Sequence, residues 1–272
     1  MTTPLIAVEK LKVEVAGKEI LHSVDLTMDP GEVHILFGPN GSGKTTLVGA
    51  IMGLPAYLIK AGKIYFNGTD ITDLPVEERA QMGVGMAFQR PPVIRGLKLG
   101  KLLRELSGNG DDIEQMARDL NMDQFLDRDL NLGFSGGESK RAEILMLLAQ
   151  KPRLVFLDEP ESGVDLENVQ LLGKMIGRIL GRDERPGHPH DRTDRSALII
   201  SHTGNILDYL HADKGHVLFG GRMLCGANPL DILDTVKDNG YMRCADCLRD
   251  RGKGVIVYKN EGKSDDDATN RH

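Results

Sequence analysis

Apolar and polar positions change rhythm several times along the chain. Residues 5–36, with LIAVEKLKVEV and EVHILF, are rich in Val, Ile and Leu, separated by the turns AGKE and DPGE. That pattern predicts strands. From Thr45, TTLVGAIMGL suits a helix that stops near Gly53 and Pro55. GKIYFNGTDIT reads as an edge hairpin with an Asn-Gly turn. Residues 92–133 carry helical spacing, as in LGKLLRELSG and DIEQMARDLNMDQFLD, and little strand signal, which predicts a helical insertion. A second stretch follows: helix 136–150, strand RLVFLDEP, helix 166–181, strand SALIISH, then HVLFGGRML. Strands alternating with helices imply a mostly parallel sheet. Residues 181–195 form a polar loop with prolines and no periodicity, and NEGKSDDDATNRH at the end has almost nothing to bury, so disorder is expected there.

Composition narrows the class. At 272 residues the chain is one large domain or one domain with a substantial insertion, and 40% apolar residues supply a core. Aromatics are only 4% and Trp is absent, so that core leans on Leu, Ile, Val and Met. A net charge of −6 argues against nucleic acid as the main partner, because phosphate neutralisation needs a basic surplus. The three cysteines, Cys225, Cys244 and Cys247, make no disulfide framework and point to a reducing compartment. With no signal-peptide pattern and no apolar run near the length of a membrane span, a cytoplasmic protein is expected. The CADC spacing invites a metal reading, but zinc and iron–sulfur sites usually take four ligands and the chain has three thiols. Ordinary thiols are the simpler expectation, although two chains could pool their pairs.

GPNGSGKTT follows the apolar strand VHILF and opens a helix, the context a phosphate-binding loop requires. Gly38, Gly41 and Gly43 let the backbone between Pro39, Asn40 and Ser42 curl so that successive N–H groups converge on a phosphate. Lys44 should reach the β- and γ-phosphates of ATP, and Thr45, followed by Thr46, should offer its hydroxyl to Mg²⁺. RLVFLDEP then places Asp158 and Glu159 at the carboxyl end of a strand, where open α/β sheets bind ligands. Asp158 is expected to hold Mg²⁺ through water, and Glu159 to polarise the attacking water. A second anion site appears in GFSGGESKRAEILM, where a serine and two glycines precede a helix with no metal ligand beside them.

Taken in order, these residues resemble the ATP-binding cassette (ABC) ATPases from about Leu5 to Gly226. The motifs are the loop 38–45, the glutamine of MAFQ (Gln89), the signature FSGGE, the strand 154–159, SGVD at 162–165 and the histidine of LIISH (His202). The resemblance implies an α/β P-loop NTPase: a RecA-like mixed, largely parallel sheet core, an N-terminal antiparallel β subdomain, and a helical insertion at about 92–145. It implies an ATPase domain over 1–226, a C-terminal extension packed on it over 227–258, and a disordered tail over 259–272. It also implies a transient head-to-tail homodimer, with Ser135, Gly136 and Gly137 of one copy capping the γ-phosphate on the other. Gln89 should touch Mg²⁺ or the water, Asp165 should bridge the interface, and His202 should bond the γ-phosphate. Where many such ATPases stack an aromatic on adenine, the matching KVEVAGKEIL offers Val15, so apolar packing is expected instead.

Within the family, GVGMAFQRPPVIRGL, LNLGFSGGESKRAEIL, LDEPESGVD and NILDYLHADKGHVLFGGRML resemble the SufC ATPases of iron–sulfur cluster assembly. That resemblance implies a SufB/SufD-like scaffold partner in place of a membrane permease; the alternative is the nucleotide-binding subunit of a membrane transporter. Lys140, on the helix after the signature, is a candidate to pair with Glu159 in a resting subunit. A DNA-repair ATPase would carry long heptads before the signature, and none is visible. A nucleotide sensor would have lost one of Lys44, Asp158, Glu159 or His202, and all are present.

Overall fold

The computed structural model describes residues 3–89, 91–107, 112–164, 166–181 and 194–251. Two sheets share the core. The first is antiparallel: β1 (Ile6–Val15) lies between β2 (Lys18–Met28) and β4 (Leu58–Phe66), with the short β5 (Thr69–Asp70) at the edge. The Asn67–Gly68 turn between β4 and β5 has φ of 50° and 80°. Positive φ at both central residues is what a two-residue hairpin demands, and the Asn-Gly pair satisfies it.

The second sheet has six strands in the order β12-β11-β3-β10-β9-β6. Its members β3 (Val33–Phe37), β6 (Val84–Ala87), β9 (Leu154–Asp158), β10 (Ser196–Ile200) and β11 (Lys214–Phe219) run parallel. VHILF, LVFLD and SALII are buried at every position. A parallel sheet covered on both faces needs such continuous apolar runs. The stretch HVLFGGRML, read above as one segment, instead turns back at Gly220–Gly221, so β12 (Arg222–Ala227) pairs antiparallel with β11.

Alternate residues of β3 face two apolar clusters. Val33, Ile35 and Phe37 pack with α5 (Gly136–Gln150) and α6 (Leu166–Ile179). Leu36 faces α1 (Lys44–Met52) and the antiparallel sheet. Arg79 of α2 (Val76–Gln81), only 2% exposed, closes the far end of α1: its guanidinium donates to the carbonyls of Ala50, Ile51, Leu74 and Thr72. Orphan carbonyls at a helix C-terminus need such donors.

The insertion holds α3 (Leu99–Leu106) and α4 (Ile113–Asp119), but also two strands that the reading of 92–133 missed, β7 (Ile94–Lys98) and β8 (Asp129–Leu130). Their signal was weak because β7 is short and mostly exposed, with no buried face to impose alternation. The last helix, α7 (Pro229–Arg251), packs Ile232 and Leu233 into the core and breaks helical geometry at Gly240, φ 67°. No helix among the described residues is long and apolar enough to cross a membrane.

Candidate nucleotide site

The phosphate loop joins β3 to α1. At Gly38, φ is 155° and a Cβ would lie 2.2 Å from the Leu218 carbonyl oxygen; at Gly43, φ is 105° and a Cβ would meet Leu21 Cδ2 at 2.6 Å. These glycines are required by close approach of β11 and β2, so the sheet itself presses the loop into its curl. Pro39 and Asn40 form its outer rim. Lys44 folds back and donates to the carbonyls of Gly38 at 2.8 Å and Pro39 at 3.0 Å. Burial lowers its pKa against the pull of Glu159 and Asp158. Ser42 Oγ is buried with no hydrogen-bond partner among the described residues. Thr46 is half-buried in the first turn of α1.

Thr45 Oγ1 donates to Asp158 Oδ2 at 2.9 Å, joining residues 113 apart in sequence. Burial raises the Asp158 carboxyl, and its Oδ1 has no hydrogen-bond partner among the described residues. The Thr45 hydroxyl and the Asp158 carboxylate, with its unsatisfied Oδ1, are hard oxygen donors of the kind Mg²⁺ takes.

Because β6, β9 and β10 are neighbours, their carboxyl ends bring Gln89, Glu159 and His202 together. Glu159 Oε2 accepts from Gln89 Nε2 at 2.8 Å, and Oε1 lies 2.7 Å from His202 Nε2. Glu159 has φ 51°, a left-handed conformation that costs a non-glycine residue energy and is kept where the surroundings over-determine it. Its amide donates to the Ile200 carbonyl at 3.1 Å. The expected Lys140–Glu159 pairing takes a different form: Lys140 Nζ donates to the backbone carbonyl of Glu159, while the carboxylate is engaged by Gln89 and His202. Lys140 approaches from α5, behind the strand end, and meets the main chain first.

Helix α5 begins with a capping box: Ser135 Oγ accepts from Glu138 N at 3.3 Å and Ser135 N donates to Glu138 Oε2 at 2.6 Å. Ser135 and Gly136 are exposed, and a Cβ at Gly136 or Gly137 would meet open space. Val15 sits half-buried at the end of β1 opposite Lys18. Asp165 lies outside the described residues. So do the side chains of Cys225, Cys244 and Cys247, and most of the loop 181–195. Among the described residues no group of three or more His, Cys, Asp and Glu could hold a metal.

Two acidic residues around the site escaped the sequence reading of function. Glu161 Oε1 accepts from Ser201 Oγ, the neighbour of His202, and from Thr203 Oγ1 at 3.4 Å. Glu143, 4% exposed, accepts from Phe88 N at 3.0 Å. An acidic residue on the apolar side of a helix, between Ala142 and Ile144, was the available signal.

A phosphate loop at the end of β3, with an acidic strand end two places along the sheet, defines a P-loop nucleotide hydrolase of the mixed α/β class. The family profile described as "ABC transporter" matches residues 21–162. A probable ABC transporter ATP-binding protein of Streptococcus pyogenes is 35% identical, covering 94% of this chain and 99% of its own. Vegetative protein 296 of Bacillus subtilis is 38% identical over 89% of this chain and 93% of its own. The probable ATP-dependent transporter ycf16 of Cyanidium caldarium is 36% identical over 88% of this chain and 96% of its own. Among solved structures, the ADP conformation of the ATP-binding cassette MJ1267 matches with a TM-score of 0.69 at 22% identity, covering 90% of this chain and 99% of that one. The chain belongs to the ABC transporter family, as one of its ATP-binding, ATP-hydrolysing cassettes.

Proposed function

We propose that this cassette is the ATPase subunit of an iron–sulfur cluster assembly complex of the SufC type. It engages a SufB/SufD-like scaffold protein in the cytoplasm and pairs head to tail with a second copy when ATP binds. The observation that carries the ATP-dependent pairing is the exposed start of α5. Ser135, Gly136 and Gly137 present backbone donors and a helix N-terminus outward, with space for a phosphate beside them. In this reading each copy holds ATP on its own loop 38–46 and lends its signature to the neighbour, with Asp165 at the interface and Val15 packing on adenine. Hydrolysis then waits for assembly.

The chain's own residues divide the work. Lys44 leaves the Gly38 and Pro39 carbonyls for the phosphates. Thr45 and Asp158, with Gln89, would hold Mg²⁺, which would neutralise developing charge on the phosphates. Glu159 takes the proton of the attacking water, and His202 and Gln89 hold its carboxylate in place. The left-handed backbone at Glu159 aims that carboxylate between them.

The choice of scaffold partner rests on the run GFSGGESKRAEIL and on NILDYLHADKGHVLFGGRML. Phe88, Val93 and Ile94, close to Gln89 in sequence, and Leu132, two residues beyond the strand partner of Ile94, are large, apolar and exposed, and offer a surface through which a partner could act on the site. The second reading, a transporter's nucleotide-binding subunit, is favoured by the name of the Streptococcus pyogenes relative. Affinity purification from native cells separates the two. A soluble partner pair retained without detergent supports the first reading, and an integral membrane partner overturns it.

A further inference from the structure

We propose that Glu143 is a positioning residue for ATP hydrolysis, tying the signature helix to the turn that carries Gln89. The inference rests on the reading of Gln89 and Glu159 as the hydrolytic pair.

Strand β6 is the last strand of its sheet and pairs with β9 only as far as Ala87↔Leu157. Phe88, the next residue, lies beyond that pairing, and Glu143 Oε2 accepts its N–H at 3.0 Å across 55 residues. One residue further, Gln89 reaches Glu159. A single side chain on α5 therefore sets the main-chain position from which Gln89 departs.

Glu143 is an unusual occupant of its place. Ala142, Ile144 and Leu145 around it are buried and apolar, and it shares a narrow cavity with Ala87, Phe88, Lys140, Asp158 and Leu172. Burial pushes its carboxyl up to about 7, yet an oxygen remains to accept from Phe88 whether the group is charged or neutral. A side chain that pays desolvation where an apolar one would pack is explained by its contact, not by stability. The same helix begins at Ser135, about 12 Å and two turns away. A tilt of α5 when its signature meets a neighbour's triphosphate would move Phe88, and with it Gln89 and the Glu159 carboxylate. Lys140, one turn earlier on the helix, holds the Glu159 carbonyl and would move in the same sense.

The test is steady-state ATP hydrolysis with Mg²⁺ by the full chain. The variants are Glu143→Met, close in shape but without an acceptor, Glu143→Gln, which restores one, and Gln89→Ala. Glu143→Met is expected to lower kcat about tenfold with KM for ATP within about twofold, and Glu143→Gln to return kcat to within about threefold of wild type. Melting is followed in parallel, and Glu143→Ala carries the same comparison should the Met variant not fold. Unchanged kcat in Glu143→Met overturns the proposal, as does an equal loss in the Met and Gln variants. Full activity in Gln89→Ala overturns the hydrolytic reading and the proposal with it. Loss in Gln89→Ala without loss in Glu143→Met overturns the proposal alone.

Discussion

His202 Nε2 stands 2.7 Å from Glu159 Oε1 across the carboxyl ends of adjacent parallel strands. Strand order creates the pair: β10 and β9 are in register, with Ile200 beside Asp158, so the residues just beyond each end meet. In the proposed mechanism the imidazole orients the carboxylate, and the carboxylate does the proton chemistry. Glu159→Gln is expected to lower kcat by about 10²–10³-fold while ATP still binds, and His202→Ala by about 10–100-fold. Stopped-flow binding of a fluorescent ATP analogue beside steady-state turnover checks both. Equal losses in binding and turnover would contradict the assignment.

Arg79 sets a stability prediction. Its guanidinium serves four main-chain carbonyls, two of them at the end of the phosphate-loop helix, from a fully enclosed place. Arg79→Met removes the side-chain donor to all four, leaving Ala50 with only the Gly53 amide, and is expected to cost about 3 kcal/mol or more in urea unfolding. Arg79→Lys should recover little, because a point ammonium cannot span acceptors arranged for a planar fork. Full recovery by lysine would show that charge alone matters there.

Buried titratable groups predict how stability varies with pH. His34 and His216 are buried and 2.9 Å apart, nitrogen to nitrogen, and His34 Nε2 lies 3.0 Å from Glu32 Oε2. Burial lowers both, His216 to about 3, with Lys214 adding to the effect and Glu32 and Asp213 opposing it at His34. The unfolded chain then binds more protons than the folded one as pH falls below about 6.5, so their contribution is present above that value and lost on acidification towards 3. Glu143 runs the other way. Its folded pKa, raised to about 7, gives a contribution that is complete below about 4.5 and lost as pH rises through 7. Each group changes stability by up to about 1.4 kcal/mol per pH unit within its window. Melting temperature should therefore rise with pH and level off between about 6.5 and 7, with His216→Asn flattening the rise above about pH 3 and Glu143→Met steepening it between about pH 4.5 and 7. Unchanged slopes in both variants would contradict the assignment.

Much of this site was legible before any coordinates, for a physical reason. A phosphate loop works through main-chain geometry imposed by glycines at fixed spacing, and an acidic strand end announces itself by the apolar run before it. Thr45 and Asp158, 113 residues apart, could be paired on those grounds alone. Side chains that turn inward to serve the main chain were harder to read. Among the described residues Arg79 bonds only to carbonyls, which every residue has, so no partner in the sequence points to it. Lys140 was correctly directed towards Glu159, but spacing cannot say which oxygen it meets. Strand β7 is too exposed to show alternation, and β12 was hidden because two glycines inside an apolar run can continue a strand or reverse it.

In the proposed mechanism two copies complete each other's site. The most direct measurement is the solution mass of Glu159→Gln with ATP and Mg²⁺, compared with ADP and with a Ser135→Arg variant that blocks the signature. A mass that doubles with ATP, returns to that of one chain with ADP and never doubles in the blocked variant is the predicted result. A chain that stays single with ATP, both alone and bound to its purified partners, would contradict it.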